Sequence, residues 1–306
     1  MSKRKQQSRR PLWHPAYWPS WCVVFLLYAL AKLPESIKRR WSQGLGRWLS
    51  QRLSSRARVV DANLRACMPE LSDDERAALV ESSFVSCTRG LFESLQCWWG
   101  DTDTWQEESR VEGMEHLQEA IDRNRGVLMI GGHYSILDLA LPLVGRHLTK
   151  PGYMYRPNDN PVIDRMIEQG RRRHFNIRPF SKRQLKDMIG FLKQGGQVWY
   201  GCDQDFGRKT DVFAPFFGVD TGCISTPTYI ARESGASVLC VSHVRMPCGR
   251  YRVAFSPILE NFGDCPRQDA LSWNGFIEET VRAYPDQYLW LHKRFKTRPA
   301  GAAAIY

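Results

Sequence analysis

No C-x-x-C pair occurs among the nine cysteines, and none of them clusters with histidine in a metal-type pattern. Nine thiols over 306 residues also fall far short of a disulfide scaffold, so reduced cysteines in a cytosolic environment are expected. Ser135 sits in no G-x-S-x-G elbow, which counts against a serine hydrolase. Long apolar runs are scarce: a mean hydropathy of -0.43 excludes a polytopic membrane protein and leaves at most one segment to enter a bilayer. Acid is scarce relative to base. The formal net charge of +11 points to an anionic partner, whether nucleic acid, membrane headgroups, a phosphorylated ligand or an acidic protein.

What is present begins with Lys3, Arg4, Lys5, Arg9 and Arg10, which have no acid among them. Trp13, Tyr17, Trp18 and Trp21 follow, and then an apolar run from Trp21 to Ala31. That run alone makes about 17 Å of helix, and extension from Ala16 to Leu33 reaches roughly 27 Å, against a hydrocarbon core of about 30 Å. No small-residue cleavage site follows Leu33, which weighs against a signal peptide. A buried soluble helix is the plain alternative. Aromatics before the run and Lys32, Lys38, Arg39 and Arg40 after it fit interfacial anchoring. We read residues 1–34 as a basic N-terminus and a single membrane anchor, transmembrane or deeply interfacial. Positive charge on both sides leaves its orientation open.

Residues 35–306 read as one domain, since no repeat or low-complexity linker divides them. Ile37 to Leu53 repeats Trp, Leu and Arg at helical spacing, either as an amphipathic helix on a membrane surface or as a solvated basic face. Ser72 and Glu75 form a capping box ahead of a stripe through Val80, Phe84, Cys87 and Leu91. A short strand at Val111 and a helix over Met114–Asn124 lead to the apolar run Val127–Ile130, closed by Gly131-Gly132. The alternation predicts an α/β fold with a mixed sheet flanked by helices.

His133 follows that strand, where ligands of α/β sheets gather, and a helix is expected from Ile136. With His133 in the turn and Asp138 in the first helical turns, the two side chains can meet. Such a carboxylate orients the imidazole and poises it to take a proton near neutral pH. The plain alternative is a structural histidine beside a Gly-Gly turn.

Tyr155-Arg156-Pro157-Asn158-Asp159-Asn160-Pro161 reads as an ordered turn that aims Arg156 at an anion or oxyanion. Arg171, Arg172, Arg173 and His174 form a basic cluster or a solvated helix face. A strand from Gln197 ends in Asp203 and Asp205, followed by Gly207, Arg208 and Lys209. Those acids are expected to pair with Arg156 or Arg208 rather than bind metal, for want of a third ligand. Phe213–Val219 either walls a hydrocarbon groove or packs in the core. The closing run Pro285–Pro299, with Lys293, Arg294, Lys296 and Arg298, mixes aromatics and bases, as single-stranded nucleic-acid binders do. It could equally lie on a membrane.

Together these blocks resemble the late acyltransferases of lipid A biosynthesis, in the lysophospholipid acyltransferase superfamily. The resemblance rests on His133-x4-Asp138, the Tyr155–Pro161 turn, Asp203-Gln204-Asp205-Phe206-Gly207-Arg208-Lys209, the Pro285–Pro299 run, and His14-Pro15-Ala16-Tyr17-Trp18 before the anchor. It covers nearly the whole chain. Asp138 stands where many lipid A enzymes carry Glu, and Gly132 where relatives often differ.

The resemblance implies a glycerolipid acyltransferase-like fold with no metal or organic cofactor. It implies acyl transfer from acyl carrier protein to the hydroxyl of a 3-hydroxyacyl chain on a Kdo-bearing lipid A precursor. His133 would be the general base and Asp138 its orienter. Arg156, Asn158, Asp203, Asp205 and Arg208 would serve the oxyanion or substrate, and Arg171, Arg172, Arg173, Lys293 and Arg294 the acceptor's anions. The expected place is the inner membrane of a Gram-negative bacterium, with the catalytic domain on its cytoplasmic side. The competing readings are a glycerophospholipid acyltransferase, which shares H-x4-D, and a basic membrane-associated nucleic-acid binder. The family reading itself assigns no nucleic-acid partner.

Overall fold

Val127–Gly131 (β2) is buried along its whole length, and the fold is built outward from it. The computed structural model describes residues 10–103, 105, 109–173, 176–207, 210 and 212–306. Its main sheet is seven-stranded, in the order β1-β9-β8-β2-β5-β3-β4. The strands are Arg110–Glu112 (β1), β2, Pro151–Tyr155 (β3), Arg178–Ser181 (β4), Gln197–Gly201 (β5), Ser237–Arg245 (β8) and Tyr251–Phe255 (β9). All pairs are parallel except β8 with β9. The intervening Val212–Phe216 (β6) and Val219–Cys223 (β7) form a separate antiparallel hairpin. Central parallel strands lie between helices on both faces, so they read as unbroken apolar runs.

Side chains alternate along β2, and the core divides accordingly. Leu128 and Ile130 join Val60 and Leu64 of Ser54–Cys67 (α3) and Trp273, Ile277 and Val281 of Pro266–Ala283, the long helix near the C-terminus. Val127 and Met129 face the other way, toward Leu95 and Trp98 of Asp73–Trp99 (α4) and Leu117 of Met114–Asp122 (α5). The Ser72–Glu75 capping box starts α4 as expected, with the Glu75 carboxylate accepting from Ser72 N at 2.9 Å. Phe213–Val219 belongs to the β6–β7 hairpin, where Phe216 stacks on Tyr288 and Phe295.

The expected spanning anchor is corrected. Trp18–Ala31 (α1) is 14 residues long, or about 21 Å, and no helix among the described residues is long and apolar enough to cross a membrane. Lys32 caps α1, and Pro34, with extended backbone, caps the start of the next helix. Nor is α1 a free segment. Val24 and Ala31 are buried in the core, and Ser20 Oγ accepts from Asn160 Nδ2 at 2.7 Å.

Glu35–Arg52 (α2) packs inside out. Its inward face is Lys38, Ser42 and Gly46, laid against α4 so closely that a Cβ on Gly46 would stand 2.5 Å from Val85 Cα. Its outward face carries Ile37, Trp41, Leu45 and Trp48, with Trp41 51% and Trp48 53% exposed. Arg39, Arg40, Arg47 and Arg52 are exposed around that stripe.

Candidate active site

Strand register assembles the site. Gly131 of β2 pairs with Gly201 of β5, so His133 and Asp203 lie two residues past registered partners on adjacent parallel strands. Neighbouring strands run about 4.8 Å apart, which brings the two side chains within reach. Asp203 grips its neighbour twice: Oδ1 lies 2.5 Å from His133 Nδ1, and Oδ2 accepts from His133 N at 2.8 Å.

The pair's electrostatics follow. Burial opposes charging of His133, but the Asp203 charge and its hydrogen bond together raise the imidazole pKa above its ordinary value. Burial likewise disfavours the Asp203 carboxylate. His133, with its charge and hydrogen bonds, outweighs that and holds Asp203 well below the usual range. With Nδ1 engaged, Nε2 is the nitrogen left to handle a proton.

The expected His133–Asp138 contact is corrected by this geometry. Asp138 lies in a 3-10 turn, Leu137–Leu139, rather than in a regular helix opening at Ile136. There it accepts from Arg171 Nε at 2.6 Å. Arg171 closes the helix Pro161–Arg172 and stacks over Tyr153, 4.8 Å from the ring centroid. His133, Asp138, Arg171 and Tyr153 share one pocket of about 250 Å³, whose apolar lining includes Met129, Leu148, Met154, Ile177 and Trp199.

Two glycines make room beneath the imidazole. A Cβ on Gly131 would stand 2.8 Å from Trp199 Nε1, and one on Gly201 2.9 Å from Trp199 Cη2 and 2.5 Å from His133 Cε1. The indole therefore lies across both strand ends and supports the imidazole edge to face, with centroids 5.8 Å apart. Gly201→Ala should push the ring aside. A displacement near 1 Å costs about 10²-fold, so we expect the variant to stay folded but lose kcat on that scale in steady-state assays.

The loop after β2 is pinned from two sides. Leu289 N donates to His133 O at 3.0 Å and Ser135 N to Gln287 O at 2.8 Å, so the Pro285–Pro299 run straps the loop rather than facing outward as one basic surface. From α4, a Cβ on Gly90 would overlap Ser135 O at 1.7 Å, and Arg245, paired with Glu93 at 2.9 Å, donates to Ser135 Oγ at 2.9 Å.

The remaining expected residues separate. Asp205 clamps the strap, accepting from Thr297 Oγ1 at 2.9 Å and from Gly207 N at 2.7 Å. Asn158 N donates to Asp164 at 2.8 Å, and both Asn158 and Arg156 line the pocket mouth. Arg156 is exposed, 3.4 Å from Asp159. Arg172 pairs with Glu168 at 3.0 Å, while Arg173 is exposed. Arg208, Lys209, His174, Lys3, Arg4, Lys5 and Arg9 lie outside the described residues. Among the described residues no group of His, Cys, Asp and Glu is placed to hold a metal ion.

Lys293 is exposed over the Tyr306 ring, but the proposed anion contact at Arg294 is corrected. Arg294 is 1% exposed and donates to Thr221 Oγ1 at 3.0 Å and Asn274 Oδ1 at 2.9 Å, with its positive field on Asp203. Arg294→Glu should cost about 3–5 kcal/mol by leaving buried partners unpaired, measured as a lower denaturation midpoint. A variant as stable as wild type would contradict this placement.

A histidine held by a buried carboxylate, at the ends of parallel strands and over an apolar pocket, is the kind of constellation an α/β enzyme carries at its site. The chain belongs to the bacterial lipid A biosynthesis acyltransferase family, which it matches over residues 5–297. It is 37% identical over 307 residues to the lipid A biosynthesis lauroyltransferase of Escherichia coli K12, covering 96% of this chain and 97% of that one. It is 33% identical over 300 residues to the palmitoleoyltransferase of the same organism, covering 97% of each. A lipid A biosynthesis acyltransferase of Haemophilus influenzae is 32% identical over 294 residues, covering 93% of this chain and 92% of that one. The protein is an acyltransferase of lipid A biosynthesis.

Proposed function

We propose that the enzyme moves a fatty acyl chain from an acyl carrier protein thioester to the hydroxyl of a 3-hydroxyacyl chain on a Kdo-bearing lipid A precursor. One observation carries the mechanism: the Asp203-bound imidazole at the head of the apolar pocket. His133 Nε2 takes the hydroxyl proton as the oxygen attacks the thioester carbonyl, and Asp203 stabilises the imidazolium. Collapse of the tetrahedral intermediate breaks the C–S bond, and His133 returns the proton to the leaving thiolate. Asp138 and Tyr153 hold Arg171 in the pocket, and we assign that guanidinium to the carbonyl oxygen as it gains charge. The acyl chain occupies the apolar lining.

The bilayer is reached through the outer faces of α1 and α2. Trp18, Phe25 and Leu26 of α1 and the Trp41–Trp48 stripe of α2 are exposed, and arginines flank the stripe. An apolar face edged with arginine fits an anionic membrane interface. Trp41→Ser with Trp48→Ser should lower flotation with phosphatidylglycerol-containing vesicles by about tenfold. Unchanged flotation would remove α2 from the interface.

The transfer itself is tested with purified protein, acyl carrier thioesters of several chain lengths and a Kdo-bearing precursor, with products weighed by mass spectrometry. Addition of one acyl chain is expected. Acylation of lysophosphatidic acid, with none of the glycolipid, would overturn the acceptor.

A further inference from the structure

We propose that the C-terminal ends of β3 and β4 form a seat for a sugar phosphate of the acceptor glycolipid, with Arg156, Lys182, Arg183 and Lys186 as its cations. The inference rests on the acyl-transfer reading above and adds the acceptor's recognition site. Tyr155 pairs with Ser181 in register, so Arg156 and Lys182 leave adjacent strands side by side at one edge of the sheet. Lys182 and Arg183 stand in the turn Lys182–Gln184, and Lys186 in the helix Leu185–Lys193 that continues it. All four bases are exposed.

Their charge is largely unspent. Among the described residues Arg156 pairs only with the exposed Asp159, at 3.4 Å. None of Lys182, Arg183 and Lys186 makes an ion pair with another described residue, although Asp187 is exposed nearby. Cations at a helix start also oppose the helix dipole, an arrangement that a bound anion relieves.

The patch adjoins the reacting centre. Tyr155, Arg156 and Asn158 line the pocket that holds His133. In the order β2-β5-β3-β4, the end of β3 stands about 10 Å and that of β4 about 14 Å from the strand bearing His133. A sugar with its reacting acyl chain at one position and a phosphate at another bridges such a gap. Phosphate could also arrive in the phosphodiester of the donor's prosthetic arm. A monoester carries about −1.5 to −2 at neutral pH, against one charge for a diester, and four clustered bases fit the monoester better.

The test is the full-length double variant Lys182→Glu/Arg183→Glu, with circular dichroism to verify folding. Its apparent KM for the phosphorylated acceptor should rise about tenfold, with kcat within about threefold and the donor KM unchanged. Removing the acceptor's phosphates should raise the wild-type KM similarly and add little in the variant. An unchanged acceptor KM, an increase confined to the donor, or an equal increase with dephosphorylated acceptor would each overturn the seat. Failure of the wild type to acylate any glycolipid would overturn the glycolipid acceptor of the proposed function instead. A binding arm without turnover still decides the seat in that case. Phosphatidylcholine vesicles doped with the acceptor should retain wild type and lose the variant, whereas vesicles doped with phosphatidylglycerol retain both. Equal retention of wild type and variant on the acceptor-doped vesicles refutes it.

Discussion

His133→Gln should reduce kcat by roughly 10²–10⁴-fold, the range that general-base catalysis supplies. Glutamine preserves much of the volume and a donor toward Asp203, so thermal stability should change little. The effect is expected in kcat rather than KM, because the proton moves only in the reacting complex. The measurement is steady-state transfer by a variant whose circular dichroism matches wild type. Activity within about tenfold of wild type would exclude His133 as the base.

Asp203→Asn should be nearly as severe and is the more diagnostic change. The amide preserves the shape but removes the charge that orients and stabilises the imidazolium, again a loss of about 10²–10⁴-fold. Its pH profile supplies the sign. His133 must be neutral to accept a proton, and Asp203 raises its pKa, so wild-type kcat/KM should climb with pH through a value above the ordinary histidine range. Without the carboxylate, burial dominates and lowers that pKa, so the rising limb should move to lower pH even as the maximum falls. Asp138→Asn provides the contrast. It frees Arg171 and should lower activity without moving the limb, because Asp138 is bonded to Arg171 rather than to His133. A limb that moves with Asp138→Asn and stays with Asp203→Asn would reverse the two roles.

Local pattern made much of the scaffold legible. The Val127–Ile130 run, the Ser72–Glu75 box and the helix from Met114 are all signalled by residues within a few positions of each other. His133 stands past the end of its strand, as the Gly131-Gly132 closure indicated. Its carboxylate was not legible. Asp138 is five residues away and Asp203 seventy, and only the Gly131–Gly201 register favours the distant one. The sequence singled out both acids at the end of β5 without distinguishing them, because pairing between parallel strands leaves no local mark. Arg294 misled for a related reason. Flanked by Lys293 and Lys296 it reads as surface charge, yet Asn274 and Thr221, distant in sequence, enclose it. The spanning form of the anchor failed on length, since α1 ends at Ala31 and Pro34 caps the next helix.

The seventy-residue separation of His133 and Asp203 has a consequence for how the enzyme becomes active. Helices such as α4 and α5 form from neighbouring residues and can appear early. Joining β2 to β5 first requires closing a long loop, and contacts of that range are slow to form. The strap from Pro285 onward lies farther still along the chain, yet it supplies the partners that fix the His133 loop. Closure of the His133–Asp203 pair should therefore be among the last events of refolding and trail the recovery of helical signal. A nascent chain does not hold the His133 loop in its final place until its last segment has docked.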